Sequence, residues 1–265
     1  METEDNKSRK KLAGRAESFL LDVYSVFAFI KQFFIELVTP PYELKAIVRQ
    51  CYEVGVRSLP LITLTGFIIG IVFTNQSRPS LAEFGATSWL PALIAIAIVR
   101  ALAPLVTALI SAGKVGSQIG AELGSMKVTE QIDAMEVSAT NPFKFLVVSR
   151  VLATTIMIPI LAMYNGFVSL IGSYLNVMAN EQTSLKSFFG QVFETISFLD
   201  LFSSLIKAIV FGFTIGIVGC YKGYHSSKGT EGVGNAANTS VVTAMFLIFI
   251  EEIVIVQIVN SIRFS

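Results

Sequence analysis

Residues 100–137 read RALAPLVTALISAGKVGSQIGAELGSMKVTEQIDAMEV, and this stretch passes from an apolar segment through evenly spaced small residues into a charged segment. The small residues recur at every fourth position, so on a helix they share one face that another backbone can approach closely. They are Ala108, Ala112, Gly116, Gly120 and Gly124. We predict a membrane-spanning helix that uses this face to pack against other helices.

The charged segment that follows predicts a short helix over Lys127–Val137, outside the membrane. Thr129 is the expected N-cap, and Glu130 and Asp133 lie near the positive end of the helix dipole. Asn141-Pro142 is expected to stop the helix. Its apolar side consists of Ile132, Met135 and Ala139, which leaves the carboxylates free to face water or a partner. We interpret this helix as an element that docks onto another protein.

The composition is that of an integral membrane protein. The 265 residues are 53% hydrophobic and only 15% charged, and the mean hydropathy is +0.66, whereas ordinary soluble domains are far less apolar. The net charge of +1 lacks the basic excess of nucleic-acid-binding proteins. Cys51 and Cys220 are both expected on the cytoplasmic side, so we predict no disulfide between them.

Five segments contain the roughly 20 apolar residues that a spanning helix needs. We predict spans at residues 58–77, about 89–113, 151–180, about 199–221 and about 239–260. The intervening polar stretches are expected to be a turn at Ser77–Ser80, a loop after residue 180 and a loop from Lys222 to Asn238. The fold class is therefore an all-α polytopic membrane protein.

An amphipathic region precedes the first span. An apolar stripe predicts a helix lying in the membrane interface; it consists of Phe19, Val23, Phe27, Ile30 and Phe34. A second amphipathic stretch, with Lys45, Arg49 and Arg57, leads into the first span. We therefore divide the chain into a tail with interfacial helices, residues 1–57, and a transmembrane domain, residues 58–265.

The basic residues that flank the spans predict the orientation, because cytoplasmic loops carry an excess of lysine and arginine. Only Arg78, Lys186 and Arg263 flank the other side. The rich side receives the N-terminal basic residues up to Arg57, together with Lys114, Lys127, Lys144, Arg150, Lys222 and Lys228. The N-terminus and the 125–142 region are thus expected in the cytoplasm, and the C-terminus outside.

Four ionisable residues stand out deep inside the predicted spans: Arg100, Lys207, Glu251 and Glu252. A charge at such depth costs about 3 kcal/mol unless it is paired or faces a cavity. Lys207 and Glu252 both lie about 12 Å from the outer ends of their spans, so they could pair. Two interpretations stay open: a polar patch that meets an anionic headgroup in a substrate cavity, or an ion-pair network that fixes helix register.

No catalytic or metal site is indicated. Gly113-Lys114-Val115 departs from the phosphate-loop pattern, because valine follows the lysine and the preceding glycine is missing. His225 is the only histidine and has no cluster of partner ligands. We expect no cofactor in this chain.

Several ordered motifs resemble the MlaE family of permeases, the membrane subunits of MCE-type ABC transporters. They are Arg100-Ala101-Leu102-Ala103-Pro104, the run from Ala112 to Met126, Val128–Met135, Asn141-Pro142 with Arg150, Ile206–Phe211, Gly219–Gly223 and Gly232-Val233-Gly234. The likeness covers most of the chain from about residue 55 onward.

The resemblance implies a homodimeric permease that moves phospholipid or a related lipid between inner and outer membranes, with a role in lipid asymmetry. It implies two cytoplasmic ATPase subunits that hold ATP and Mg, an MCE protein ring on the periplasmic side, and a lipid cavity between the two permease copies. The location would be a bacterial inner membrane. The helix at about 125–140 would be the coupling helix, with the ATPase contact formed by Glu122, Met126, Thr129, Glu130, Asp133, Met135 and Glu136.

One residue departs from the family pattern. The family usually has glutamate after the arginine of the 100–104 motif, and here the residue is Ala101. We expect Glu251 or Glu252 to balance Arg100 and Lys207 instead. Two other functions stay open: a secondary transporter that uses the four buried charges as an ion relay, and a membrane anchor for a periplasmic lipid-binding protein.

Overall fold

The computed structural model describes residues 20–21, 23–40, 42–181 and 183–264, and within these ranges the chain is helical and has no strand. The helices are α1 (residues 23–38), α2 (Leu44–Val54), α3 (Leu59–Glu83), α4 (Leu90–Ala97), α5 (Ala103–Ser111), α6 (Ser117–Val128), α7 (Gln131–Val137), α8 (Ser149–Glu181), α9 (Leu185–Thr195), α10 (Phe198–Tyr224) and α11 (Thr230–Phe264).

Five helical segments are long and apolar enough to cross a membrane, which confirms the predicted fold class. They are Leu44–Glu83, Thr87–Val128, Phe143–Glu181, Phe198–Tyr224 and Thr230–Arg263. Each is longer than the span predicted from hydropathy alone.

The second span is one helical run from Thr87 to Val128. It widens to a π-helix at Ile98–Leu102 and again at Ala112–Gly116. At about 1.5 Å per residue the run is about 60 Å long, twice the roughly 30 Å of bilayer hydrocarbon. The run is therefore too long to lie upright within the hydrocarbon layer, and its small-residue face continues into α6.

The small residues of this run lie where α10 and α11 pack against it. Ala108 and Ala112 belong to a buried cluster with residues of α8, α10 and α11. A Cβ atom on Gly120 would stand 2.5 Å from Ser240 Oγ and 2.9 Å from the Ala236 carbonyl oxygen of α11. Gly116 faces α10, and Gly124 faces Ser226 and the start of α11. Close backbone approach is what small residues permit in membrane helices.

Helix α8 lies at the centre, between α3 and α10. Gly70 of α3 faces the α8 backbone, and its carbonyl oxygen accepts a hydrogen bond of 3.0 Å from Ser173 Oγ. Asn165 Nδ2 of α8 donates to Thr107 Oγ1 of α5 at 2.9 Å. Such interhelical hydrogen bonds satisfy polar groups that lipid cannot.

The turn predicted at Ser77–Ser80 is wrong, because α3 continues through Pro79 to Glu83. A proline removes one backbone donor, which a helix tolerates when neighbouring contacts hold the segment. Here Arg78 Nε donates to Glu181 Oε1 at 3.2 Å and joins the ends of α3 and α8.

Both predicted loops on the outer and cytoplasmic sides are also largely helical. The segment after residue 180 contains α9, which Ser184 caps by accepting from Ser187 N at 3.2 Å, and which buries Phe188 and Val192. The loop predicted from Lys222 to Asn238 shrinks to the few residues between α10 and α11. Small residues of this segment allow the helices to pack closely; Ala236 of α11, for example, lies against Gly120 of α6.

The N-terminal helix α1 packs on the α7 end of the helical bundle through Phe29 and Phe33, which are buried. The Phe29 ring meets Phe143 at 4.9 Å and Tyr221 at 5.4 Å between centroids. In the predicted stripe, Val23, Phe27 and Phe34 are exposed, Ile30 is half-buried and Phe19 lies outside the described residues. The exposed apolar side chains suit a helix that lies in the interface.

The short helix after the second span begins later than predicted, at Gln131 instead of Lys127. Thr129 is not its N-cap: the Thr129 hydroxyl donates to the Ser125 carbonyl oxygen at 2.8 Å, because α6 continues to Val128. Glu130 adopts a left-handed conformation (φ 57°) that redirects the chain. Ile132 is buried and Met135 half-buried, whereas Ala139 lies beyond the helix and is exposed.

Replacement of Gly120 by leucine tests the close contact between α6 and α11. The new side chain would overlap Ser240 and Ala236, and overpacking of this kind lowers the free energy of unfolding by about 2 kcal/mol. We expect a lower melting temperature of the detergent-purified protein. Gly234→Leu is the matched control, because no atom lies within 4 Å of a Cβ there. Equal melting temperatures for the two variants would contradict the contact.

Candidate functional site

A buried carboxylate at the start of α10 is fixed by its own sequence. Ser197 and Asp200 form a capping box, in which Asp200 Oδ2 accepts from Ser197 N at 3.0 Å and Ser197 Oγ accepts from Asp200 N at 3.4 Å. This reciprocal arrangement satisfies free amide groups of the first helical turn. It holds the Asp200 side chain, which is 2% exposed, toward the neighbouring spans.

Two arginines from other spans bind this carboxylate. Arg100 Nε lies 2.7 Å from Asp200 Oδ1, and Arg100 Nη2 donates to Oδ2 at 2.9 Å. Arg263, near the end of α11, donates to Asp200 Oδ1 at 2.7 Å. Asp200 therefore joins the second, fourth and fifth spans through charge-assisted hydrogen bonds, the strongest class in proteins.

A second ion pair lies about two helical turns further along α10. Lys207 Nζ donates to Glu252 Oε1 at 2.6 Å, and the two side chains are 4% and 14% exposed. Lys207 Nζ also donates to the Arg100 carbonyl oxygen at 3.2 Å. That carbonyl lies within the π-helical stretch Ile98–Leu102, where the regular i to i+4 bonding is interrupted. The pairing predicted between Lys207 and Glu252 is present.

Glu251 lies apart from the arginines. Its Oε1 accepts from Thr214 Oγ1 at 2.5 Å, and its Oε2, like that of Glu252, is buried without a hydrogen-bond partner. The expectation that Glu251 or Glu252 balances Arg100 is wrong, because Asp200 does so. Asp200 was missed because it stands at the end of a span; the Ser-x-x-Asp capping pattern before an apolar run was the available signal.

An apolar cavity of about 520 Å³ lies beside this charged cluster, within one chain. It opens between α8, α9 and α10, and Val99 and Ala103 of the second span complete its wall on either side of Arg100. Four phenylalanines line its α9 and α10 sides: Phe189, Phe193, Phe198 and Phe202. Its volume falls in the range of ligand pockets, about 300–1,000 Å³.

The residues predicted to contact an ATPase fall into two groups at the other end of the molecule. Glu130, Asp133 and Glu136 are exposed on and beside α7, with Thr129. Met126 and Met135 face inward and pack against the core cluster at this end. Glu122 is partly exposed, and its Oε2 accepts from Arg150 at 3.2 Å. Lys127 Nζ donates to Asp133 Oδ1 at 2.8 Å and connects α6 to α7.

Comparison with known proteins gives a consistent result over most of the chain. Residues 47–258 match the family model for permease MlaE. A probable ABC transporter permease protein of Rickettsia typhi is 36% identical over 236 residues, which cover 89% of this chain and 90% of the relative. Proteins with the same description from Synechocystis (34% identical; 86% of this chain, 87% of the relative) and Porphyra purpurea (39%; 76% of each) are also similar.

Proposed function

Because this chain belongs to the MlaE permease family and is the permease subunit of an ABC transporter, we propose that it moves a phospholipid or related lipid between the inner and outer membranes of a bacterial cell. An ABC permease works with an ATPase partner. In this proposal the chain itself is not an enzyme, and ATP and Mg are bound by that partner.

The observation that carries the lipid assignment is the apolar cavity beside the buried charges. Its aromatic and aliphatic walls suit acyl chains. A polar headgroup would lie at the ends of the spans, close to Arg100, Lys207 and their ion-pair partners. Cavities with apolar walls and few polar groups bind largely apolar ligands. An ion relay would instead require the charges to face an aqueous path, whereas here they pair with one another.

The charges within the cluster balance formally, since Arg100, Lys207 and Arg263 match Asp200, Glu251 and Glu252. This balance favours a network that fixes the spans, with the headgroup contact made at its edge.

A protein that served only as a membrane anchor would not require the cavity. Among the functions that the sequence left open, lipid transport therefore accounts for the most features.

The exposed carboxylates around α7 support the proposal that this helix couples the permease to the ATPase. Glu130, Asp133 and Glu136 face outward together with Val137, which is 89% exposed. Ile132 is buried in the core cluster at the same end, and the ion pair of Lys127 with Asp133 fixes α7 to α6. A displacement of α7 would thus pass to the second span.

The remaining parts of the assembly follow from the family and from exposed surfaces. The spans α3 and α11 bury little of their apolar surface within one chain, which leaves faces for lipid and for a second copy. We propose a homodimer with the N-terminus in the cytoplasm and the C-terminus in the periplasm. An MCE-domain ring would then meet the outer end, near Asp200 and the cavity.

Filling the cavity tests the lipid assignment. Leu205→Trp places a larger side chain in the cavity wall of α10, so we expect lipid transfer between vesicles to fall severalfold while the complex stays assembled. Ile209→Trp, one turn along the same helix and outside the cavity, is the control. Equal transfer rates in both variants and in the wild type would refute a role of this cavity.

Charge reversal on α7 tests the docking assignment. We expect Glu130→Lys with Asp133→Lys to abolish co-purification of the ATPase. The two lysines reverse the charge of an exposed acidic surface, so an ATPase surface complementary to the carboxylates would be repelled. The matched control reverses two exposed carboxylates at the outer end, Glu83→Lys with Glu194→Lys. Native mass spectrometry gives the stoichiometry, which we expect to be two permeases, two ATPases and an MCE ring. A stoichiometric ATPase in the α7 variant would contradict the docking assignment.

A further inference from the structure

A second cavity, of about 410 Å³, lies at the opposite end of the molecule from the apolar one. It is bounded by α2, by α6 and by the start of the third span, and it includes Phe145 and Leu146. Arg57 on its rim stands two residues before α3 begins. The cavity is therefore at the level where the first and third spans leave the bilayer.

One wall of this cavity holds a buried arginine with unused hydrogen-bonding capacity. Arg150 has a side chain that is 8% exposed. Its Nη1 donates to the Leu146 carbonyl oxygen at 3.0 Å and its Nη2 to Glu122 Oε2 at 3.2 Å. Its Nε is buried and has no hydrogen-bond partner. Buried donors are normally satisfied, so this guanidinium is suited to an acceptor from a ligand.

The charges that line the cavity leave one cation in excess. Arg150 is paired with Glu122, and Arg57 is paired with Glu53 at 2.7 Å. Arg49 lines the same cavity and, within the described part of the chain, has no ion pair. Three guanidiniums against two carboxylates favour an anionic ligand, and guanidinium groups match the geometry of phosphate oxygens.

An exposed apolar row on α2 runs beside this cavity. Leu44, Val48 and Tyr52 lie on one helix face, are more than half exposed, and line a shallow apolar depression that Arg49 also borders. Arg49 thus stands between a polar cavity and an apolar surface. A free phosphate ion would use only the first, whereas a phospholipid would use both.

We propose that this site binds an anionic phospholipid of the adjacent leaflet. Its phosphate lies between Arg49, Arg57 and Arg150, and an acyl chain follows Leu44, Val48 and Tyr52. The site goes beyond the proposed function, because a lipid held here is not the transported one and binds without ATP. Because Arg150 pairs with Glu122 of α6, a lipid bound to Arg150 would stabilise the position of α6, the helix that leads to α7.

Lipid binding by the delipidated, detergent-purified complex tests the site without any transport step. The probe is phosphatidylglycerol with two oleoyl chains, compared with phosphatidylcholine carrying the same chains, and bound lipid is measured by native mass spectrometry. The variant is Arg49→Gln with Arg57→Gln, two exposed positions whose change leaves the core intact. The control is Lys222→Gln with Lys228→Gln, which removes two charges on the same side outside the cavity.

We expect the cavity variant to bind phosphatidylglycerol about thirtyfold more weakly, from the loss of two basic residues near the lipid phosphates. The control should bind as the wild type does, and phosphatidylcholine should bind weakly to all three proteins. An equal loss in the control, or equal affinity for the two lipids, would overturn the proposal. So would full displacement of phosphatidylglycerol by inorganic phosphate at similar concentration, which would indicate a free-anion site.

A second variant separates the acyl-chain contact from the charge. Val48→Asn should weaken phosphatidylglycerol binding while any inorganic phosphate binding stays unchanged, because only the lipid reaches the apolar row. Unchanged lipid binding in this variant would contradict the acyl-chain placement. Transport measured in the same variants is a separate readout, so failure of this site leaves the test of the apolar cavity by Leu205→Trp unaffected.

Discussion

A carboxylate buried among membrane helices is stable only when cations meet it there, and Asp200 is held by two arginines from two other spans. The capping box fixes that carboxylate through contacts within the first turn of α10, so the position of α10 is set jointly by this turn and by Arg100 and Arg263. Lys207 and Glu252 repeat the arrangement deeper in the bundle. Together these three ion pairs join the second, fourth and fifth spans beside the apolar cavity.

The helical run that carries Arg100 continues without interruption to Val128, at the end of the molecule that holds α7. Below the charged cluster its small residues allow α10 and α11 to approach closely, and Gly223 of α10 faces Gly120 so closely that a Cβ there would lie 2.9 Å from the Gly120 carbonyl oxygen. The π-helical stretches at Ile98–Leu102 and Ala112–Gly116 each contain one cation, Arg100 or Lys114, and irregular turns of this kind often mark functional positions. In the proposed transporter, this run connects the ATPase side to the lipid cavity.

The five spans and the pair of Lys207 with Glu252 could be predicted from the sequence, because hydropathy locates the spans, although not their full lengths, and equal depth brings the two side chains to one level. The predictions of a turn at Ser77–Ser80 and of a loop from Lys222 to Asn238 were wrong for the same reason. Proline, glycine and serine indicate turns in soluble proteins, whereas in this bundle they lie within helices that pack closely. The Ser197–Asp200 capping pattern is local and could have indicated this carboxylate, whereas its arginine partners and the apolar cavity depend on contacts between spans far apart in the chain, which no local pattern encodes.

The central claim is that Asp200 and Arg100 are energetically coupled across two spans. A double-mutant cycle on the melting of the detergent-purified protein measures this directly, with Arg100→Gln, Asp200→Asn and the combined variant. The structure predicts that each single change is destabilising, since Asp200→Asn leaves Arg100 and Arg263 without their carboxylate and Arg100→Gln leaves Asp200 with Arg263 alone. It also predicts that the double variant loses clearly less than the sum of the two. Losses that simply add would contradict the account, because they would mean that the two side chains do not depend on each other.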